Sequence, residues 1–237
     1  MKKFTLSAVV FSIFSFSSSY AGVYGALNLG ANFVSTSKHL TYPLDTTPFS
    51  HYDYTSAYNN FHGQLALGYD IPVQSRFKVA VEGDVELFEG KSNATITNWF
   101  STNSANATEY FNYGWNVFIL PEYQLNNFTQ LFIGPGVAFS QYHFGSNHAP
   151  TGGNLGFTGQ NTSWLTGWGF KAGTSLMLQQ NIDLLLTYQF MSYPSVTKTA
   201  VEPLSASPVR SKYQPTANIA MLGIKYVFER DHLGSQK

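Results

Sequence analysis

The sequence predicts an all-β fold: an eight-stranded antiparallel up-and-down transmembrane β-barrel with long extracellular loops and short periplasmic turns. Only 11% of the residues are charged and 16% are aromatic, whereas about a quarter of the residues are charged in an ordinary soluble domain. Beyond residue 22, the sequence has no apolar run of the roughly 20 residues that a membrane-spanning helix needs. Apolar and polar residues instead alternate in eight successive segments, a pattern typical of strands with one apolar face.

The first residues have the features of a secretory signal peptide. Lys2 and Lys3 precede an uncharged, mostly apolar run, and Ser19 and Ala21 are the small residues before the cleavage point. The apolar run is shorter than the roughly 20 residues of an anchoring helix. We therefore expect residues 1–21 to be a signal peptide, residues 22–228 to form the barrel and residues 229–237 to be a short C-terminal tail. The chain has no Cys, so neither disulfides nor a lipoprotein anchor are expected.

The stretch from Lys78 to Gly90 shows the alternation most clearly. Glu82, Asp84 and Glu86 occupy every second position, with apolar residues between them. As a strand, this stretch has one acidic face and one apolar face. Each of the eight segments reaches the 9–11 residues or so that a tilted membrane strand needs. An apolar face towards lipid and a polar face towards the barrel interior are therefore predicted.

The connections between the segments alternate in length. Residues 71–76, 126–129 and 179–181 are short, whereas residues 35–57, 89–109, 145–163 and 194–214 are long and polar. Short turns at one end and long loops at the other are typical of outer-membrane barrels. Aromatic residues are also expected to form a girdle at each end. The turn-side girdle would contain Tyr69, Phe77, Tyr123, Phe128, Tyr226 and Phe228, and the loop-side girdle Phe33, Tyr58, Trp115, Phe139, Trp164, Trp168 and Phe190.

Three strand sequences carry a resemblance to a known superfamily. They are the C-terminal "NIAMLGIKYVF", with its terminal Tyr226 and Phe228, and the glycine-rich "GWGFKAGTSLML" and "LFIGPGVAF". The sequence resembles the small eight-stranded outer-membrane barrels, namely the OmpA membrane domain and the opacity-type adhesin barrels. The resemblance implies location in the outer membrane of a Gram-negative bacterium and an assembly signal at Tyr226 and Phe228. Only residues 229–237 follow, too few for a peptidoglycan-binding domain.

The resemblance also implies a set of partners. These are outer-membrane lipid and lipopolysaccharide, the barrel assembly machinery with periplasmic chaperones, and host or environmental surface ligands bound through the loops. The formal net charge is zero and no basic patch is present, so no nucleic-acid partner is expected. A monomer without cofactor or metal is predicted.

The inward faces of the eight segments carry many charged residues. An eight-stranded barrel is just wide enough for its inward side chains to fill it, and buried charges are costly unless they are paired. We therefore expect an ionic and hydrogen-bonded plug, with Lys171 reaching across to the acidic strand. The predicted lumen charge network consists of Glu82, Asp84, Glu86, Lys171, His62, Lys78, Glu122, Asp183 and Lys225.

The sequence predicts a structural, surface-contact role without catalysis, and other functions compete with it. Carboxylates two residues apart on a strand have the spacing of an inverting glycosidase, but a filled lumen has no cleft for a sugar ring. A lipid-modifying enzyme could use His143 and Ser146, although no acid partner is evident. His39, His51 and Asp53 do not form a recognised metal-ligand motif. A narrow gated porin and a soluble lipocalin-like barrel are the remaining alternatives; the end-sorted aromatics disfavour the latter.

Overall fold

The computed structural model describes residues 22–41, 51–97, 104–148, 159–201 and 208–228. The predicted signal peptide and the predicted tail lie outside these residues. Within them the chain is almost entirely β-strand, and no helix is long and apolar enough to cross a membrane. The strands are β1 Gly22–Thr41, β2 His51–Gln74, β3 Phe77–Phe88, β4 Ser92–Thr97, β5 Ser104–Asn126, β6 Thr129–His148, β7 Gly159–Gln179, β8 Ile182–Ser192, β9 Val196–Val201 and β10 Pro208–Val227.

The strands form a closed antiparallel ring. Its order is β1-β2-β3-β5-β6-β7-β8-β10, and β10 pairs again with β1. β4 continues the line of β3 and pairs with β5, while β9 continues the line of β8 and pairs with β10. The ring therefore has eight wall positions, two of which are occupied by an interrupted strand. Closure leaves no open sheet edge at the level of the ring, and the predicted eight-stranded barrel is confirmed.

The alternation predicted from the sequence decides which side chains face outwards. Large apolar side chains such as Leu67, Val85, Ile133 and Leu222 are about half exposed on the outer surface. The residues between them in sequence are buried inside the ring. An exposed apolar surface of this extent is rare on a soluble monomer, and it forms an outer belt suited to lipid.

Several strands are much longer than a membrane crossing requires. β1 has 20 residues and β2 has 24, compared with about 9–11 for a tilted span. On β1 the outward residues are apolar up to Phe33, after which Ser35, Ser37 and His39 follow. The composition of residues 35–57 predicts a loop. Residues 35–41 are nevertheless strand, because the backbone ladder between β1 and its neighbours continues to Thr41.

Beyond the belt, the wall separates into two four-stranded sheets, which we call blades. The pairing of β2 with β3 ends at His62 and Phe88, and the pairing of β7 with β8 ends at Trp168 and Ser192. Beyond these points, no described residue of β2 pairs with β4, and none of β7 pairs with β9. The first blade consists of β9, β10, β1 and the upper part of β2. The second consists of β4, β5, β6 and β7.

Local chemistry explains the two interruptions in the wall. Between β3 and β4, Gly90 has a φ of 91°, a conformation that favours glycine over residues with a Cβ. Nδ2 of Asn32 donates to the carbonyl of Glu89 at 3.3 Å and holds this link. Between β8 and β9, Pro194 has no amide hydrogen to contribute to a strand ladder.

A bulge in β5 changes the direction of its side chains. The pairing register with β6 shifts between Phe111 and Gly114, so Asn112 and Tyr113 are both exposed. A bulge adds one residue and therefore reverses the alternation beyond it. Phe111 and Glu109 consequently face the interior, whereas an unbroken alternation predicts Asn112 inside and Phe111 outside. Asn112 therefore lies on the outer surface and not in the lumen.

Candidate functional site

The barrel interior is the candidate site, and its polar side chains form layers. At the turn end, Nζ of Lys225 lies 3.5 Å from Oδ1 of Asp70 and 3.7 Å from Oε1 of Glu122. Nζ of Lys78 lies 3.7 Å from Oδ2 of Asp70 at the half-exposed rim. Ser175 donates to Asp183 at 3.0 Å. Lysine and carboxylate side chains from different wall positions therefore close this end.

The middle layer is centred on Lys171 of β7. Its Nζ lies 2.6 Å from Oε1 of Glu82 and 3.0 Å from Oδ2 of Asp84, both on β3. It also donates to Oε1 of Gln64 at 3.1 Å. Asn116 donates to the other oxygen of Asp84 at 2.6 Å. All of these side chains are buried, so Lys171 spans the lumen and ties β7 to the acidic face of β3.

Glu86 lies beside this layer with fewer charged neighbours. Its Oε2 is 3.6 Å from Nε2 of His62 and accepts from Nε2 of Gln189 at 3.2 Å. The His62 ring packs edge-on against Phe88, with centroids 4.8 Å apart. His62 and Glu86 are both fully buried, so this pair marks the transition from the charged layers to the aromatic region above.

An aromatic core fills the barrel at the loop-side end of the belt. Phe111 lies at its centre, with ring centroids 5.3 Å from Phe88, 5.1 Å from Tyr142 and 4.9 Å from Tyr193. Ser140 and Tyr193 share a hydrogen bond of 2.7 Å inside this core. The sequence predicts a polar interior, but the structure differs above the charged layers. There the interior is a packed hydrophobic core.

A third charged layer lies above this core, between the two blades. Lys38 of β1 forms an ion pair with Glu109 of β5. Oε2 of Glu109 also accepts from Ser56 of β2 at 3.0 Å and from Tyr142 of β6 at 3.2 Å. Burial lowers the pKa of the Lys38 amine, and the Glu109 carboxylate partly opposes this shift. Burial, followed by the charge of Glu109, raises the pKa of the Tyr213 phenol to about 12.

Further contacts join the blades around this ion pair. The amide of Phe111 donates to the hydroxyl of Tyr58 across the seam between β5 and β2, at 2.9 Å. The rings of Phe144 on β6 and Tyr213 on β10 have centroids 5.1 Å apart. The blades are therefore packed against each other along their inner faces, and Tyr58 lies in this contact instead of in the predicted outer girdle.

One small cavity lies among the charged side chains of the lumen. A cavity of about 20 Å³ lies between the turn-end and middle layers, with Glu82, Glu122, Lys171 and Lys225 among its lining residues. This is enough for about one water molecule. Tyr24 bridges the same two layers, because its hydroxyl donates to Glu82 at 2.8 Å and its ring lies 3.7 Å from Nζ of Lys225.

The structure places all nine residues of the predicted charge network inside the barrel or at its turn-side rim. It arranges them around Lys171 and around Lys225, with the His62–Glu86 pair beside the Lys171 layer. Asp70 was missed, although the alternation of β2 already points it inwards. Lys38 and Glu109 were missed because they lie in ranges whose polar composition indicates loops. The assembly-signal residues Tyr226 and Phe228 are exposed on the outer surface and contact each other edge-on, with centroids 5.2 Å apart.

Those of the other candidate residues that the structure describes do not assemble into a recognised catalytic or metal site. Both ring nitrogens of His143 are engaged, by Thr162 at 2.8 Å and Gln141 at 3.1 Å. His39 contacts Asp53 on the outer surface of the first blade, and the side chains of His51 and Ser146 lie outside the described residues. Among the described residues there is no group of three or more His, Cys, Asp or Glu suited to a metal ion.

No protein-family model and no curated protein matches this chain. Among solved structures, the outer-membrane protease OmpT of Escherichia coli is 7% identical over 92% of this chain and 100% of its own, with a TM-score of 0.52. The outer-membrane protein OprG of Pseudomonas aeruginosa is 13% identical over 87% of this chain and 97% of its own, with a TM-score of 0.48. Neisserial surface protein A is 10% identical over 84% of this chain and 96% of its own, with a TM-score of 0.39.

At such low identities the likeness to solved structures concerns the fold alone. The closed ring, the apolar outer belt and the buried charges inside it define the class: an integral β-barrel of the outer-membrane type. The predicted fold is thereby confirmed. The protease among these structures shares the architecture and gives no information about catalysis here.

Proposed function

We propose that this protein is a non-conducting, non-catalytic outer-membrane barrel that acts by surface contact through its extracellular half. One observation supports the closed state above all: side chains fill the interior from the turn end to the blades. Between the Lys225 and Lys171 layers, the described interior contains a cavity with a volume of only about 20 Å³. A steady aqueous channel would require removal of the Lys225, Lys171 and Phe111 layers together.

The extracellular half supports the contact role. The blades continue the wall beyond the belt, and their inner faces are packed together by the Lys38–Glu109 pair and the aromatic rings. A rigid scaffold that carries connecting segments is the usual arrangement of a binding surface. The segments 42–50, 98–103, 149–158 and 202–207 connect blade strands, and their Tyr, Ser, Thr and Asn content suits contact with proteins or glycans. The partner would be a host or environmental surface ligand.

Conductance in a planar lipid bilayer tests the closed state. The refolded full-length barrel should produce no steady channels at concentrations where a general porin does. A narrow gated porin, the alternative, would instead open in discrete, voltage-dependent steps. Such steps from the purified protein, with unchanged heat-modifiable migration on a gel, would contradict the proposal.

Adherence of intact cells tests the contact role. Cells that express the wild type should attach to glycan- or protein-coated beads more than cells that carry the empty vector. A variant with residues 42–50 and 202–207 replaced by Gly-Ser segments of equal length should lose this attachment. The same replacement should leave folding unchanged, as judged by heat-modifiable migration. Equal attachment of the wild-type cells and the empty-vector cells would refute the contact role.

A further inference from the structure

The blades meet at two seams, one beside β2 and one where β7 faces β9. The amide of Phe111 and the hydroxyl of Tyr58 bridge the first seam at 2.9 Å. In the second, no hydrogen bond joins the described residues of β7 to those of β9. These strands separate just above Gly167, where an added Cβ would lie 2.5 Å from the carbonyl oxygen of Ser192. The second seam, between residues 159–166 and β9, is therefore an opening in the wall, which we call the open seam.

A change of phase after β8 explains why β9 does not continue the ladder of β8 along β7. Tyr193, directly after β8, is buried inside the barrel. Lys198 of β9 also faces the interior, because it pairs with the buried Ser211. Inward residues are thus odd-numbered up to Tyr193 and even-numbered on β9. In the register of β8, the inward side chains of β9 would be paired with outward side chains of β7, so the open seam cannot close without a shift of one residue.

The open seam has room for one strand. The Cα atoms of β7 and β9 are more than 8 Å apart at nearly every position, whereas paired strands are about 4.8 Å apart. A strand inserted between two others needs two such spacings, or about 9.6 Å. On the inner side the blades stay close, because Nζ of Lys198 on β9 is 5.8 Å from the ring centroid of Phe144 on β6.

The two edges of the open seam differ in their protection against pairing. β9 has only six residues, contains Lys198 and follows Pro194, and all three features discourage the addition of another strand. The edge of β7, residues 159–166, contains neither a charged residue nor a proline. Lys198 forms no ion pair with a described residue. The open seam therefore combines a strand edge suited to pairing with an uncompensated positive charge.

We propose that the open seam binds one extended segment of a partner protein, which pairs antiparallel with β7 and directs an acidic side chain towards Lys198. Addition of a strand to an exposed sheet edge is a common mode of peptide recognition, in which the backbone supplies affinity and alternate side chains supply specificity. Apolar side chains on either side of the acid would contact Leu165 and Val196, which also face inwards. The choice of a protein partner rests on the proposed surface-contact role.

Peptide binding to the full-length barrel in phosphatidylcholine nanodiscs tests this pairing. The probe is the capped heptapeptide Thr-Val-Thr-Glu-Thr-Val-Thr, which has Val, Glu and Val on one face. It should bind saturably, and an analogue with Gln in place of Glu should bind about threefold more weakly, because the ion pair is lost. In Lys198→Gln the two peptides should bind equally. Lys91→Gln, an equal charge change at an exposed residue outside the open seam, is the matched control and should keep the preference for Glu.

Amide exchange tests the strand pairing itself. In an edge strand, alternate amides point away from the neighbouring strand. Alternate amides of residues 159–166 should therefore exchange rapidly in the free barrel and at least about tenfold more slowly with the Glu peptide bound. A fully N-methylated form of the same peptide has no backbone donors and should not bind.

Four results would overturn the proposal. These are no saturable binding of the Glu peptide, equal binding of the N-methylated form, a preference for Glu that persists in Lys198→Gln, or slow exchange of all amides in residues 159–166 of the free barrel, which would show that the chain itself fills the seam. The adherence test of the surface-contact role uses no peptide, so that role and the strand pairing can fail separately.

Discussion

Lys38 on β1 and Glu109 on β5 form a buried ion pair that joins the two blades above the membrane belt. The blades share no backbone pairing among the described residues at their seams, so inward side chains carry the contact between them. Removing one partner of a buried ion pair leaves an uncompensated charge and costs about 3–5 kcal/mol. The pair is therefore expected to decide whether the extracellular half stays closed.

Lys38→Met should loosen the blades without unfolding the membrane ring. We expect amide exchange in residues 35–41 and 104–111 to accelerate by two orders of magnitude or more, on the basis of about 3–5 kcal/mol. Exchange in β3 and β8 should not change. Lys91→Met, at an exposed position, serves as control, and Lys38→Met/Glu109→Gln should recover most of the protection. Unchanged exchange in Lys38→Met would show that the ion pair does not hold the blades.

Tyr213 should ionise later than an ordinary tyrosine. Its pKa in the folded protein is about 12, compared with 10.0 for an unperturbed phenol. Because the folded value is the higher one, this group stabilises the folded state fully below pH 10, and the contribution is lost as the pH rises towards 12. Ultraviolet difference titration of the wild type against Tyr213→Phe should show one phenol that ionises near pH 12. Glu109→Gln should move the titration to lower pH, and an ordinary titration of Tyr213 in the wild type would contradict this assignment.

Lys171→Met should destabilise the barrel more than any surface lysine change. It removes the cation that contacts both Glu82 and Asp84 and leaves these carboxylates buried. We expect a loss of about 3–5 kcal/mol in the free energy of unfolding, measured by urea titration in lipid vesicles. Lys91→Met should change this value by less than about 0.5 kcal/mol. A similar loss of unfolding free energy in both variants would show that the Lys171 ion pairs do not stabilise the barrel.

Gly134→Ala should impair folding, because the barrel wall leaves no room for a methyl group at this position. A Cβ there would collide with the backbone carbonyl of Ile119, whereas at Gly83 the nearest atom would be 3.9 Å away. Forced overpacking costs about 1–3 kcal/mol. Gly134→Ala should therefore lower the yield of the heat-modifiable form, and Gly83→Ala should not. Equal yields would mean that the wall can adjust.

The lumen should open only when the Lys225, Lys171 and Phe111 layers are removed together. Lys225→Ala opens the turn-end layer, Lys171→Ala the charged middle layer, and Phe111→Ala the aromatic core above it. Because the layers lie in series, each single variant and Lys171→Ala/Phe111→Ala should stay silent in planar bilayers, while the triple variant should show conductance steps. Steady conductance from any single variant would show that the remaining layers do not seal the barrel.

The sequence pattern predicts the membrane part of the fold well, because each outward position there faces lipid. Glu82, Asp84 and Lys171 could be assigned to the interior, since a charge on the lipid face would be costly and the alternation of β3 and β7 is unbroken. The depth order of Lys225 and Lys171 also followed from their positions along the strands. The pairing partners were harder to predict: Asp70 of β2 contacts Lys225 of β10, two wall positions away, past β1.

The alternation of apolar and polar residues by itself determined the closed ring, its lipid-facing belt and its charged interior. These follow from one physical constraint, the cost of exposing polar groups to hydrocarbon. Outside the belt that constraint is absent, and polar strands and polar loops have similar compositions. Only the tertiary structure therefore decided that β1 and β2 continue beyond Phe33, that a bulge at Asn112 turns Glu109 inwards, and that Lys38 meets it between two blades.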